Sequence, residues 1–146
     1  REAASELLSE HGISSEVWSV TSYGELRREG LEHERSRRLN PEISDEPYVS
    51  RCFGDETPTV ATSDYICSVP EMIQRWIGGR YIVLGTDGFG RSDTREALRS
   101  FFEIDTNSIV VASISALEQE GTLPSGTVEK ELEKRNLNKE RIDKAE

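Results

Sequence analysis

Short blocks of β-branched and aromatic residues alternate with helix-length amphipathic stretches, and that alternation most constrains the fold. Three blocks read as strands: Glu16 to Tyr23 (EVWSVTSY), Thr59 to Ser63, and Arg80 to Thr86. Between and after them the apolar residues recur at three- and four-residue spacing. Arg1 to His11 reads as a helix already in progress, with Ala3, Ala4, Leu7 and Leu8 on one face and Gly12 as its left-handed stop. Gly24 to Leu39 fits a charged helix ended by Asn40-Pro41, because the residue before proline avoids helical geometry. From Pro41 to Pro58 there is no period, only a long connection with a helical turn expected around Tyr48 to Phe53.

Tyr65 to Ile77 reads as a further helix that Pro70 begins or bends. After the loop Asp87-Gly88-Phe89-Gly90, the pairs Ala97/Phe101 and Leu98/Phe102 define another helix face. Thr106 to Gln119 follows, with Asp105 or Thr106 as its N-cap. A last helix carries Val128 and Leu132 inward, and the residues from Asn138 on are expected to fray. Strands alternating with helices imply parallel neighbours joined by right-handed crossovers. The expected fold is α/β: one domain over residues 1–146, with a small, mostly parallel mixed sheet between two helix layers. Three strands are few for a sheet covered on both faces, so at least one strand is expected on the N-terminal side.

The chain has 146 residues and a net charge of −10, from 28 acidic and 18 basic residues. Such a surface repels phosphate backbones, and no basic cluster is interleaved with aromatics, which excludes nucleic acid as an expected partner. The one locally basic stretch, Arg27 to Arg38, is diluted by Glu25, Glu29, Glu32 and Glu34 and reads as an ion-paired helix face in preference to a phosphate site. No apolar run approaches the ~20 residues that span a bilayer. Cys52 and Cys67 make no disulfide framework, so a reduced, cytoplasmic setting is expected.

Each expected strand ends in small polar residues: Thr21-Ser22, Ser63-Asp64 and Thr86-Asp87. Ligand and partner sites of open α/β sheets gather at those carboxyl ends. The densest motif is Gly85-Thr86-Asp87-Gly88-Phe89-Gly90-Arg91-Ser92-Asp93. Its glycines fit either a tight strand-to-helix turn or backbone N–H groups approaching a small anion. The spacing is neither GxGxxG nor a P-loop. His11 and His33 share no ligand spacing with either cysteine, and no GxSxG elbow is present. The residues thus supply no tools for independent chemistry.

Several long motifs resemble the last domain of homodimeric pyruvate dehydrogenases of the acetyl-transferring type. They are EVWSVTSYGELRREGLEHER with the following LNP (Glu16 to Pro41), VATSDY (Val60 to Tyr65), VLGTDGFGRSDTREALRSFFEID (Val83 to Asp105) and SIVVASISALEQEG (Ser108 to Gly121). Ser36 and the stretch Ile66 to Pro70 depart from that pattern. The resemblance implies a transketolase-type C-terminal domain behind two larger domains that bind thiamine diphosphate and magnesium. It implies an oxidoreductase that decarboxylates pyruvate and passes the acetyl group to a lipoyl acyltransferase component. On this reading the chain itself holds no catalytic, cofactor or metal residue. Its partners are the other domains of its own polypeptide and a second copy. The resemblance implies that Ser22, Tyr23, Asp64, Tyr65, Thr86, Asp87, Gly88, Phe89, Gly90, Arg91 and Ser92 lie at an inter-domain or dimer-facing edge. Asp87 and Arg91 are expected to fix the loop by hydrogen bonds, with Phe89 packed as its apolar anchor. The alternative is a free-standing α/β module that binds a small anion at Gly85 to Ser92.

Overall fold

A computed structural model describes residues 1–137. The residues from Asn138 on, where fraying was expected, lie outside the described residues. The elements run α1 (Glu2–His11), α2 (Tyr23–Leu39), α3 (Tyr48–Phe53), β1 (Thr59–Thr62), α4 (Ser68–Glu71), β2 (Tyr81–Leu84), α5 (Arg95–Phe101), α6 (Thr106–Gln119) and α7 (Thr127–Lys134). A single 3-10 turn, Gln74–Trp76, follows α4.

Among the described residues β1 and β2 form the one sheet, a parallel pair in the register Thr59↔Tyr81 to Thr62↔Leu84. Thr59 N–H donates to Arg80 O at 2.8 Å and Ser63 N–H to Leu84 O at 3.0 Å, which close the ladder at both ends. The connection between the strands is the crossover that parallel pairing requires.

Two apolar clusters flank this pair. In the first, α6 packs on the sheet and on α1 and α7, and Ala3, Leu7, Val110 and Ile114 are buried together. In the second, Val49, Ile73 and Trp76 are buried among Tyr23, Leu26, Phe53 and Tyr81. Gly30 is why α2 can approach there: a Cβ on it would lie 2.6 Å from the Trp76 ring. Trp76 keeps its indole N–H satisfied by donating to Glu34 Oε1 at 2.9 Å. Ile73, Val49, Val110 and Ile114 are the largest apolar side chains fully out of water, so each cluster contributes a core of its own.

Caps set the helix limits. Gly12 takes φ 68°, and the Gly12 and Ile13 N–H groups donate to the Leu8 and Leu7 carbonyls. Ser22 Oγ accepts from Glu25 N–H at 3.2 Å and Thr94 Oγ1 from Ala97 N–H at 3.2 Å. Asp105, of the two candidates, caps α6 by accepting from Ser108 N–H at 2.9 Å.

Two expectations fail for physical reasons. Glu16 to Tyr23 is not a strand: the segment before Tyr23 is irregular, and Tyr23 already opens α2. Val17 and Trp18 are 58% and 52% exposed. β-propensity expresses fit to a neighbouring pleated surface, and among the described residues no strand pairs with this segment. The helix expected from Tyr65 to Ile77 breaks into α4 and the 3-10 turn. Pro70 sits in the first turn of α4, and the Met72 and Ile73 amides then donate to Val69 O and Pro70 O in tight three-residue turns that do not continue an α ladder. The Pro70 carbonyl also accepts from the Tyr81 hydroxyl at 3.0 Å. The ion-paired face expected on α2 is realised only around Arg28, which Glu25 and Glu32 hold.

The start of α7 is held by another helix. Gly126, at φ 86°, has no capping side chain, and Glu118 of α6 accepts from Gly126 N–H at 2.8 Å and Val128 N–H at 2.7 Å. The Val128 and Gly126 amides hold the Glu118 carboxyl below its ordinary range. A carboxyl with a lowered folded pKa stabilises the fold above the unfolded value, and that share is lost as pH falls through the lowered one. Acidification through the carboxylate range is therefore expected to free the first turn of α7. Protection of the Val128 amide, its exchange rate measured against the intrinsic rate at each pH, should fall as pH falls through the carboxylate range, and Glu118→Gln should remove that pH dependence.

Candidate functional site: the carboxyl edge of the sheet

Two loops leave the sheet at its carboxyl edge, Ser63 to Cys67 after β1 and Gly85 to Ser92 after β2. They cross closely enough to exclude a side chain at Gly85. A Cβ there would meet the Tyr65 carbonyl at 2.7 Å and the Cys67 amide nitrogen at 2.9 Å. Thr86 then ties the loops together, its N–H donating to Tyr65 O at 3.0 Å and its hydroxyl to Asp64 O at 2.8 Å. Asp87 completes the clasp by accepting from Cys67 N–H at 3.1 Å, and the Cys67 thiol lies 3.9 Å from Val83 O. Sequence reading missed Cys67 and the steric demand at Gly85; no spacing signals either, since both arise from a crossing of distant segments.

Beyond the clasp the loop turns on Gly88, at φ 104°. Among the described residues Arg91 makes no hydrogen bond that fixes the loop; its guanidinium stacks over the Phe101 ring at 4.7 Å, tying the loop to α5. Phe89 is not packed within the described residues and is 75% exposed. The anchor role fails inside this chain because the turn at Gly88 carries the ring outward. Tyr65 and Ile66, at 68% and 50%, are exposed on the adjoining loop.

The structure thus brings Asp64, Tyr65, Thr86 and Asp87 together, with Gly88, Phe89, Gly90, Arg91 and Ser92 extending from them. Ser22 and Tyr23 stand apart. Ser22 caps α2, and Tyr23 packs in the cluster around Trp76, where burial pushes its hydroxyl up.

Beside the clasp is a cavity of about 320 Å³, with Asp64 and Thr86 on one wall and Leu98, Phe102 and Ile104 of the α5 region on the other. The anion reading of the loop loses one donor here, because Thr86 N–H is already bonded to Tyr65 O. A second cluster lies far along the chain, where Glu10, His11 and Glu131 bring three potential metal donors within 4.8 Å. Lys134 sits 2.7 Å from Glu10 Oε2, and Arg135 lies 3.0 Å from Glu10 and 2.9 Å from Glu131. Those cations neutralise the carboxylates that a metal would need. His33 faces Asp45 at 3.2 Å.

Asp87→Ala should open the clasp without touching the core. We expect a loss of about 1 kcal/mol in urea unfolding, the worth of one exposed hydrogen bond to a charged acceptor. Exchange of the Cys67 amide should rise sharply, while amides of α6 stay protected.

A family model described as the transketolase-like TK C-terminal domain matches residues 1–105. The pyruvate dehydrogenase E1 component of Pseudomonas aeruginosa is 42% identical over 143 residues, which is 96% of this chain and 16% of that protein. The same component of Mycolicibacterium smegmatis is 45% identical over 123 residues, 83% of the chain and 13% of the relative. That of Escherichia coli is 39% identical over 145 residues, 98% of the chain and 16% of the relative. The chain therefore spans about a sixth of the length of these relatives. The matched span runs through both strands and the clasp to the start of α6, and the chain belongs to the transketolase-like C-terminal domain family.

Proposed function

We propose that this chain is the C-terminal domain of a thiamine diphosphate- and magnesium-dependent pyruvate dehydrogenase, a homodimer that passes its acetyl group to a lipoyl acyltransferase component. The observation that carries the reading is collinear similarity at about 40% over nearly the whole chain to proteins named pyruvate dehydrogenase E1 component. The cofactor supplies the electron sink for decarboxylation. The one cluster of potential metal ligands among the described residues, at Glu10, His11 and Glu131, does not suit a diphosphate-bound magnesium. Its oxygens are already held by Lys134 and Arg135, cations that oppose a second positive charge at the same carboxylates. On this reading cofactor binding belongs to other domains, and this one supports the assembly.

Within that role, the clasped carboxyl edge docks against the rest of the enzyme or its second copy. Tyr65, Ile66 and Phe89 offer exposed apolar area on a backbone held by Thr86 and Asp87, the combination an interface anchor needs. No helix among the described residues is long and apolar enough to cross a membrane, and a cytoplasmic enzyme fits the proposed chemistry.

The test uses the full-length polypeptide. Pyruvate-dependent turnover that requires thiamine diphosphate supports the reading, and its absence in a well-folded preparation would sink it. Phe89→Ala in that polypeptide should weaken dimerisation or turnover at least about tenfold, since a buried aromatic anchor is worth 1–2 kcal/mol or more. Unchanged assembly and turnover would remove the edge from the interface.

A further inference from the structure

The near balance of charge along α2, five arginines against four glutamates, conceals how those charges are used. Glu25 and Glu32 both hold Arg28, at 2.8 and 3.4 Å. Glu29 turns to the start of α3 and accepts from Tyr48 N–H at 3.1 Å. Glu34 accepts from the Trp76 indole at 2.9 Å and pairs with Arg75 at 3.2 Å. All four acids are thus committed, two of them to groups outside the helix. Among the described residues no carboxylate lies within ion-pair distance of Arg27, Arg35, Arg37 or Arg38, and all four are exposed.

Three of these arginines form a row. Arg27, Leu31, Arg35 and Arg38 succeed one another at spacings of four, four and three, so they stack along one side of the helix. Like charges three apart oppose helix formation, so Arg35 and Arg38 work against the stability of α2. Leu39, at the end of the row, is 68% exposed.

We propose that this row is a docking surface for a carboxylate-rich segment of a protein partner. Guanidinium forks match carboxylates in bidentate geometry, and the exposed Leu39 offers the apolar contact that a polypeptide can use. The exposed Leu39 favours a polypeptide over a nucleic acid, whose phosphate backbone offers it no apolar contact. The proposal stands on side-chain pairing within α2 and does not depend on the enzyme reading.

The experiment is fluorescence anisotropy of a labelled polyglutamate peptide titrated with the full chain. Saturable binding that weakens with added salt is expected. Replacing Arg27, Arg35 and Arg38 together by glutamine should weaken it at least about tenfold, as expected when several charge pairs at a rim are lost. Replacing the same three by lysine should retain most of the affinity, which separates loss of charge from loss of fold. Arg37→Gln, off the row, should change it less than about twofold. The proposal is overturned by absence of saturable binding, by equal binding in the triple glutamine variant, or by tighter binding of duplex DNA than of polyglutamate.

Discussion

The crossing of the two strand-end loops is the contact on which the rest of this molecule depends. A two-stranded parallel sheet is a weak object, because parallel ladders are slanted and a lone pair buries little. Here none of the strand residues is fully buried. What holds the carboxyl edge in shape is the clasp beyond the ladder: Gly85 passing under Tyr65 and Cys67, Thr86 bonded to Asp64 and Tyr65, and Asp87 bonded to Cys67. Without it, the register at Thr62↔Leu84 would end in two free loops.

Polar contacts between helices do as much as apolar ones in keeping the layers together. Arg135, whose side chain is 7% exposed, joins α1 and α7 through Glu6, Glu10 and Glu131. It also donates to Asn107 of α6 at 2.7 Å. Glu118 links α6 to the start of α7, and Glu29 links α2 to α3. The desolvated pair in this network is Arg135 with Glu131, each with a 7% exposed side chain, so losing either leaves the other's charge buried, whereas Glu6 and Glu10 stay 37% exposed. Lys134, more exposed, is held with Glu10 and pulls that carboxyl below its usual range.

Much of the fold was legible in the sequence because it rests on local signals. Gly12 ending α1, Asp105 as a cap, the turn at Tyr48 to Phe53 and the two parallel strands follow from spacing and capping chemistry. The strand expected at Glu16 to Tyr23 failed because strand formation is a property of pairs, and no residue type in EVWSVTSY reports whether a partner is present. Within the candidate site, the sequence pointed to Asp64, Tyr65 and the Gly85 to Ser92 loop, yet not to Cys67, to the stacking of Arg91 on Phe101, or to the outward turn of Phe89. Those depend on how two loops twenty residues apart cross. The charge pattern of α2 misled for a similar reason: Glu29 and Glu34 have acceptors' work to do at Tyr48 and Trp76, which helical spacing cannot show.

We propose that the preformed carboxyl edge becomes buried in a larger assembly. Hydrogen exchange of the full-length polypeptide, compared with this chain alone, tests it most directly. The account predicts that the amides of Ile66 and of Gly88 to Ser92 exchange freely in the isolated chain and become strongly protected in the full-length protein. The Cys67 and Thr86 amides, already bonded in the clasp, should be slow in both. Equal exposure of Gly88 to Ser92 in the two samples would contradict it.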